Sequence, residues 1–112
     1  MGLIARLEAE FNGKVFLTPS ATSALEVAFL AILNPGDEVI MPDFLFPSLA
    51  NAVILRGAVP VFVDVRPDTL NIDERLIERE ITASTKAIAP IHYAGVPATM
   101  EAINTIAEAH DL

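Results

Sequence analysis

Three short segments of this 112-residue chain combine residue types that could hold a ligand. The first runs from Thr18 to Glu26 (TPSATSALE), where small hydroxyl residues lead into an apolar helical run. The N-terminus of a helix leaves backbone N–H groups free and carries the positive end of the dipole, so it favours an anion such as a phosphate. The same residues also suit an ordinary N-cap, with Ser20 or Thr22 accepting from the first turn, and pattern alone favours the cap. The second segment is Pro42 to Phe46 (PDFLF), at the end of an apolar run that reads as a strand. Ligands of α/β sheets gather beyond the carboxyl ends of strands, and an aromatic there could stack on a planar group. Pattern alone favours Phe44 and Phe46 as core side chains. The third is Ile91 to Gly95 (IHYAG), again beyond a strand, where His92 suits an acid/base or substrate contact, or equally a hydrogen-bonded structural role.

Other templates fail. The glycines stand at 2, 13, 36, 57 and 95, which matches neither G-x-G-x-x-G nor G-x-x-x-x-G-K-[ST], and G-x-S-x-G is absent. The cysteine count is 0, which removes disulfides, thiol catalysis and Cys-ligated zinc. His92 and His110 are far apart and make no metal site by themselves, so none is expected. Asp43 and Asp64 lie near strand ends, but the flanking FLFP is too apolar for a hydrated Mg²⁺.

The elements that must position these segments alternate. Spacing predicts helices over 2–11, 22–33, 47–56, 73–81 and 98–110, and strands over 14–18, 38–41, 59–65 and 86–92. Asn71 or Asp73 would cap the fourth helix, and Gly57 would close the third. Continuous apolar strands, each followed by a helix, argue for a parallel sheet covered on both faces. Pro60 and Pro90 weaken their strands locally, because proline cannot donate to a ladder. The helix over 22–33 is apolar nearly all round, with Glu26 its one charge, and calls for cover on more than one side.

Composition narrows the class. Hydrophobic residues make up 53% and charged residues 20%, which excludes a disordered chain. Fifteen acidic against seven basic residues give a net charge of -8, the wrong sign for a nucleic-acid-binding face. The N-terminus lacks the apolar core of a secretory leader, and the longest uninterrupted apolar stretch, 27–33, falls well short of a membrane span. A cytoplasmic protein is the expectation, with no nucleic-acid or membrane partner. The last helix should feed another parallel strand, so the expected object is a piece of a longer α/β protein.

The segments together resemble the DegT/DnrJ/StrS family of sugar aminotransferases. The resemblance rests on TPSATSALEVAFLAI, on NPGDEVIMPDFLFPSLANAVILRGAVPVFVDVRPDTLNID and on ITASTKAIAPIHYAG, in that order. It covers nearly the whole chain from Val15 onward, and RPDTLNIDE with HYAG is similar to the dTDP-4-oxo-6-deoxy-sugar transaminases, which form dTDP-4-amino-4,6-dideoxygalactose. The resemblance implies an α/β, three-layer fold type I large domain. Residues 1–112 would form its N-terminal part, incomplete, with the first four strands. It implies pyridoxal 5'-phosphate as cofactor. Thr22 and Ser23 match the residues that hold its phosphate, with Ala21 where many members have Gly; Phe46 matches the aromatic that stacks on its ring. His92 would stand behind the site or meet the substrate.

The family's pyridinium-binding Asp and Schiff-base Lys would lie beyond Leu112, since the two lysines, Lys14 and Lys86, sit at the wrong places. No catalytic residue is therefore expected within the chain, and the segment alone is expected to be inactive. The whole protein would move an amino group, from glutamate, to a nucleotide-linked keto-deoxy-sugar for cell-surface polysaccharide or amino-sugar biosynthesis. It would act as a homodimer with the site at the subunit boundary. The alternative is a non-catalytic, truncated relative that binds a phosphate ligand or a protein partner. An unrelated doubly wound binding domain fits the periodicity but not the ordered motifs.

Overall fold

The computed structural model describes all of residues 1–112. Helix α1 (Leu3–Phe11) and helix α2 (Ala21–Ile32) precede strand β1 (Glu38–Pro42). Helix α3 (Ser48–Leu55), strand β2 (Val59–Val63), the short helix α4 (Glu74–Ile77), strand β3 (Thr85–Ile88) and helix α5 (Met100–Ala109) follow. The sheet is parallel, in the order β2-β1-β3.

The central strand explains the layers. Side chains alternate across a strand, so its apolar run must be buried on both sides. Val39 and Met41 face α2 and α3, packing with Phe29, Leu33, Leu49, Ala52 and Val53. Ile40 faces the other way, joining Val63, Ile72, Ile77, Ala98 and Ile103 from beneath α4 and α5. The expected three-layer α/β arrangement is present. No helix is long and apolar enough to cross a membrane.

The four expected strands become three. Residues 14–18 are not a strand: they pair with no neighbour in the sheet, and no residue of α1 is buried. Apolar character there meets no ladder to complete it. Phe16 is left 79% exposed. The strand expected over 86–92 stops at Ile88; Ala89 N–H still donates to Ile40 O (2.8 Å), but Pro90 has no N–H to continue. Pro60, by contrast, lies within β2, an edge strand. Val59 N–H donates to Asp37 O (2.8 Å), so by alternation the Pro60 nitrogen points to the open edge, where no donor is needed. The helix expected over 73–81 is α-helical only to Ile77 and then tightens into a 3₁₀ turn, Glu78–Glu80.

Two local devices hold the connections. Gly57 adopts φ +71°, and a Cβ there would sit 3.3 Å from the Pro35 ring, while Gly57 O accepts from Gly36 N–H (2.9 Å). Asp73, rather than Asn71, caps α4. Its Oδ1 accepts from Arg75 N–H (3.1 Å), and its two oxygens take a bidentate pair from the Arg75 guanidinium (2.8 and 2.6 Å). Those Arg75 hydrogen bonds hold the Asp73 carboxyl below its ordinary value, against the opposing effect of desolvation.

Two stability predictions follow from these devices, both in the full-length protein. Gly57→Ala should destabilise by about 1–2 kcal/mol, from the positive φ and the Pro35 contact, and a denaturant titration reads it. Asp73→Ala should cost about 1 kcal/mol at neutral pH. A carboxyl held low in the folded state stabilises above its unfolded pKa of about 3.9 and loses that stabilisation as pH falls through the lower, folded value. The difference between wild type and Asp73→Ala should therefore shrink below about pH 4 in melts across pH. A gap that is constant in acid would refute it.

Candidate functional site

The loops that follow β1 and β3 meet at the carboxyl ends of the parallel strands, where α/β sheets place their ligands. Helix α2 aims its N-terminus at the same region. Ser20 is its N-cap: Ser20 Oγ accepts from Ser23 N–H (3.1 Å) and lies 3.1 Å from the Ser23 hydroxyl. Thr18 Oγ1 donates to Ser20 O (2.9 Å), which also takes Ala24 N–H (3.1 Å) and so fixes the entry of the chain into the helix. Helix geometry leaves the amides of Ala21 and Thr22 without an intrahelical acceptor. Of the three residues expected at this end, Ala21 and Thr22 are exposed, while the Ser23 amide is already taken by the cap.

Phe46 does not enter the core that its pattern suggested; it is 78% exposed, and Phe44 is partly exposed too. Residues 43–47 link β1 to α3, and of their apolar side chains Leu45 packs against the core while Phe44 and Phe46 do not join it. Thr22 and Phe46 instead line one cleft of about 540 Å³, together with Glu26, Ser48 and Asn51. A second cavity of about 480 Å³ adjoins it, sharing Phe46 and Ser48. Phe44, His92, Tyr93 and Leu25 line that cavity. The Phe44 and Tyr93 rings pack at 5.1 Å, tilted by 59°.

His92 makes a structural hydrogen bond and also lines the cavity. Its Nδ1 accepts from Ala98 N–H (3.0 Å), so this bond requires the neutral ring with its proton on Nε2. The same ring lines the cavity. The structure thus brings Thr22 and Phe46 together and sets His92 beyond Phe46, in the adjoining cavity. Lys14 and Lys86 line neither space. Lys14 is out in solvent, 4.0 Å from Glu8, and Lys86 falls where the β1–β3 register slips.

Sequence reasoning missed Tyr93, Ser48, Asn51 and Glu26 as lining residues, though Tyr93 stands next to the His92 it singled out. It treated Asn71 only as a cap. Chemically, an exposed helix N-terminus beside a free aromatic face suits a ligand with an anionic group and a planar ring.

Comparison with known proteins agrees. Residues 7–112 match the DegT/DnrJ/EryC1/StrS aminotransferase family. The crystal structure of NtdA from Bacillus subtilis with bound cofactor PMP superposes with TM-score 0.92 at 41% identity, over 97% of this chain and 26% of that one. A Streptococcus pneumoniae protein named as a sugar aminotransferase, in its PMP form, gives TM-score 0.90 at 34% identity, over 96% and 28%. DesV from S. venezuelae, in complex with a ketimine intermediate, gives 0.78 at 39%, over 83% and 25%. The chain thus spans about a quarter of the length of these relatives. With its parallel sheet, its layers and its ordered motifs, the chain belongs to the DegT/DnrJ/EryC1/StrS aminotransferase family.

Proposed function

We propose that residues 1–112 form the N-terminal, cofactor-holding part of the large domain of a pyridoxal-phosphate-dependent sugar aminotransferase. The observation that carries this reading is the shared cleft of Thr22 and Phe46. The residues present fit the cofactor: unpaired amides at Ala21 and Thr22, with the Thr22 hydroxyl, suit the phosphate, and the open Phe46 face suits the pyridine ring. Ser23 would act through the cap it makes with Ser20. His92 would present its Nε2–H to the substrate side. When bound, pyridoxal phosphate supplies the electron sink for bond changes at the amino-bearing carbon. This chain's own residues anchor, orient and flank it.

The lysine and the acid that such chemistry needs would come from sequence outside these residues, because Lys14 and Lys86 line neither space. The 112 residues alone would then be inactive. The substrate would be a nucleotide-linked keto-deoxy-sugar, with glutamate as amino donor, in a cytoplasmic route to cell-surface polysaccharide or amino sugars. The apolar outer face of α2 and α3, where Val27, Leu30, Ile54 and Leu55 are exposed, supports a homodimer in which a second copy covers it.

Titrating pyridoxal phosphate into the full-length protein, followed by absorbance, tests the reading. Thr22→Ala should weaken binding by about tenfold or more, from one lost hydrogen bond to a charged group. Phe46→Ala should weaken it by about three- to tenfold, from the lost ring contact. Wild-type affinity in both variants would refute the assignment.

A further inference from the structure

The wall of the cavity beyond Phe46 includes a backbone turn held both by its own hydrogen bonds and by a side chain from outside it. In the turn that follows His92, Ala94 has φ +51° and Gly95 has φ +79°, two successive residues in the left-handed region. A non-glycine residue there costs free energy unless its surroundings impose it. The turn carries its own Gly95 N–H to His92 O (3.1 Å) and Val96 N–H to Tyr93 O (2.9 Å) bonds. A single side chain grips both of its ends from outside. Asn71, only 2% exposed, accepts Tyr93 N–H at Oδ1 (2.8 Å) and donates from Nδ2 to Val96 O (3.0 Å).

Asn71 is itself delivered by a tight loop. Leu70, at φ +59°, turns the chain; Leu70 N–H donates to Arg66 O and Arg66 N–H to Asn71 O, both at 2.8 Å. Asn71 lines neither cavity. Its influence on the site passes through the clamped turn, which puts Tyr93 and Ala94 in the cavity wall, the Tyr93 ring packing on Phe44.

We propose that Asn71 is a positioning residue of the site: its amide clamps the 93–96 turn and so sets the Tyr93–Phe44 wall beside the bound cofactor ring. The inference rests on the functional reading above. A buried amide satisfied at both ends is costly to break, and a carboxylate cannot replace it, because it lacks the donor that Val96 O requires.

The test uses the full-length protein with pyridoxal phosphate as probe, reading its dissociation constant and the circular dichroism of the bound cofactor. Asn71→Ala and Tyr93→Ala should each weaken binding by about three- to tenfold and alter the dichroism in the same sense. The double variant should be no worse than the poorer single one, since both act through one contact. Multiplied losses in the double variant, or a wild-type dissociation constant and dichroism in Asn71→Ala, would overturn the proposal. Should Asn71→Ala fail to fold, Gly95→Ala takes its place. Nothing lies within 4 Å of a Cβ there, so it strains the turn through φ alone. It should reproduce the Tyr93→Ala change, and an unchanged dichroism would count against the clamp. If the unmodified protein binds no pyridoxal phosphate, the functional reading fails instead. Amide hydrogen exchange at Tyr93 and Ala98 in the cofactor-free protein then decides the clamp: faster exchange in Asn71→Ala, or in Gly95→Ala, supports it, and unchanged protection overturns it.

Discussion

Val39, Ile40 and Met41 are fully withdrawn from water, and successive side chains among them point to opposite faces of the sheet. Each such side chain contributes about 1.5–3 kcal/mol when buried. That contribution is available only if helices lie on both sides of β1. Helices α2 and α3 supply one side, and α4 and α5 the other. Once the layers are set, the carboxyl end of β1 is fixed in space. The loop that begins there carries Phe44 and Phe46 to the position where the N-terminus of α2 also ends.

The site is thus a by-product of packing, refined by polar contacts. Phe29 and Leu33 anchor α2 in the core, so the Ser20 cap and the Thr22 amide are held at one end of a rigid element. The C-terminal end of α2 is tied as well: the Arg56 guanidinium donates to Leu33 O (3.0 Å) from the end of α3. At the other strand ends, Glu38 accepts from the Thr82 hydroxyl (2.6 Å), joining the start of β1 to the loop before β3. The register slips by one residue at Lys86 just beyond this contact, and from there Val39 pairs with Ala87 and Ile40 with Ile88, ahead of Pro90, Ile91 and His92.

Much of the apolar surface is not consumed by this packing. Leu30, Ile54, Leu55, Phe16 and Phe46 all remain exposed. The near-absence of charge on α2 foreshadows this, because a helix apolar all round needs more cover than one sheet face provides. An outer face of this kind suits covering by further polypeptide, and the chain spans about a quarter of the length of the relatives it matches.

The sequence by itself determined the three central strands, the helices between them and the helix N-terminus at Ser20. These follow from local signals: continuous apolar runs, 3.6-residue stripes, small hydroxyl caps and Gly57 after α3. Its resemblance to a family also pointed to Thr22 and Phe46, which line one cleft. Residues 14–18 read as a strand from local pattern, yet they pair with nothing, because a strand exists only through ladder bonds to neighbours remote in sequence. Phe44 and Phe46 misled by pattern because burial depends on where the loop passes, not on side-chain type. The grip of Asn71 on Tyr93 and Val96 spans 22 and 25 residues, and no local spacing encodes it. Tertiary structure alone decided these features, because each is a contact between segments that only the packed sheet brings within hydrogen-bonding distance.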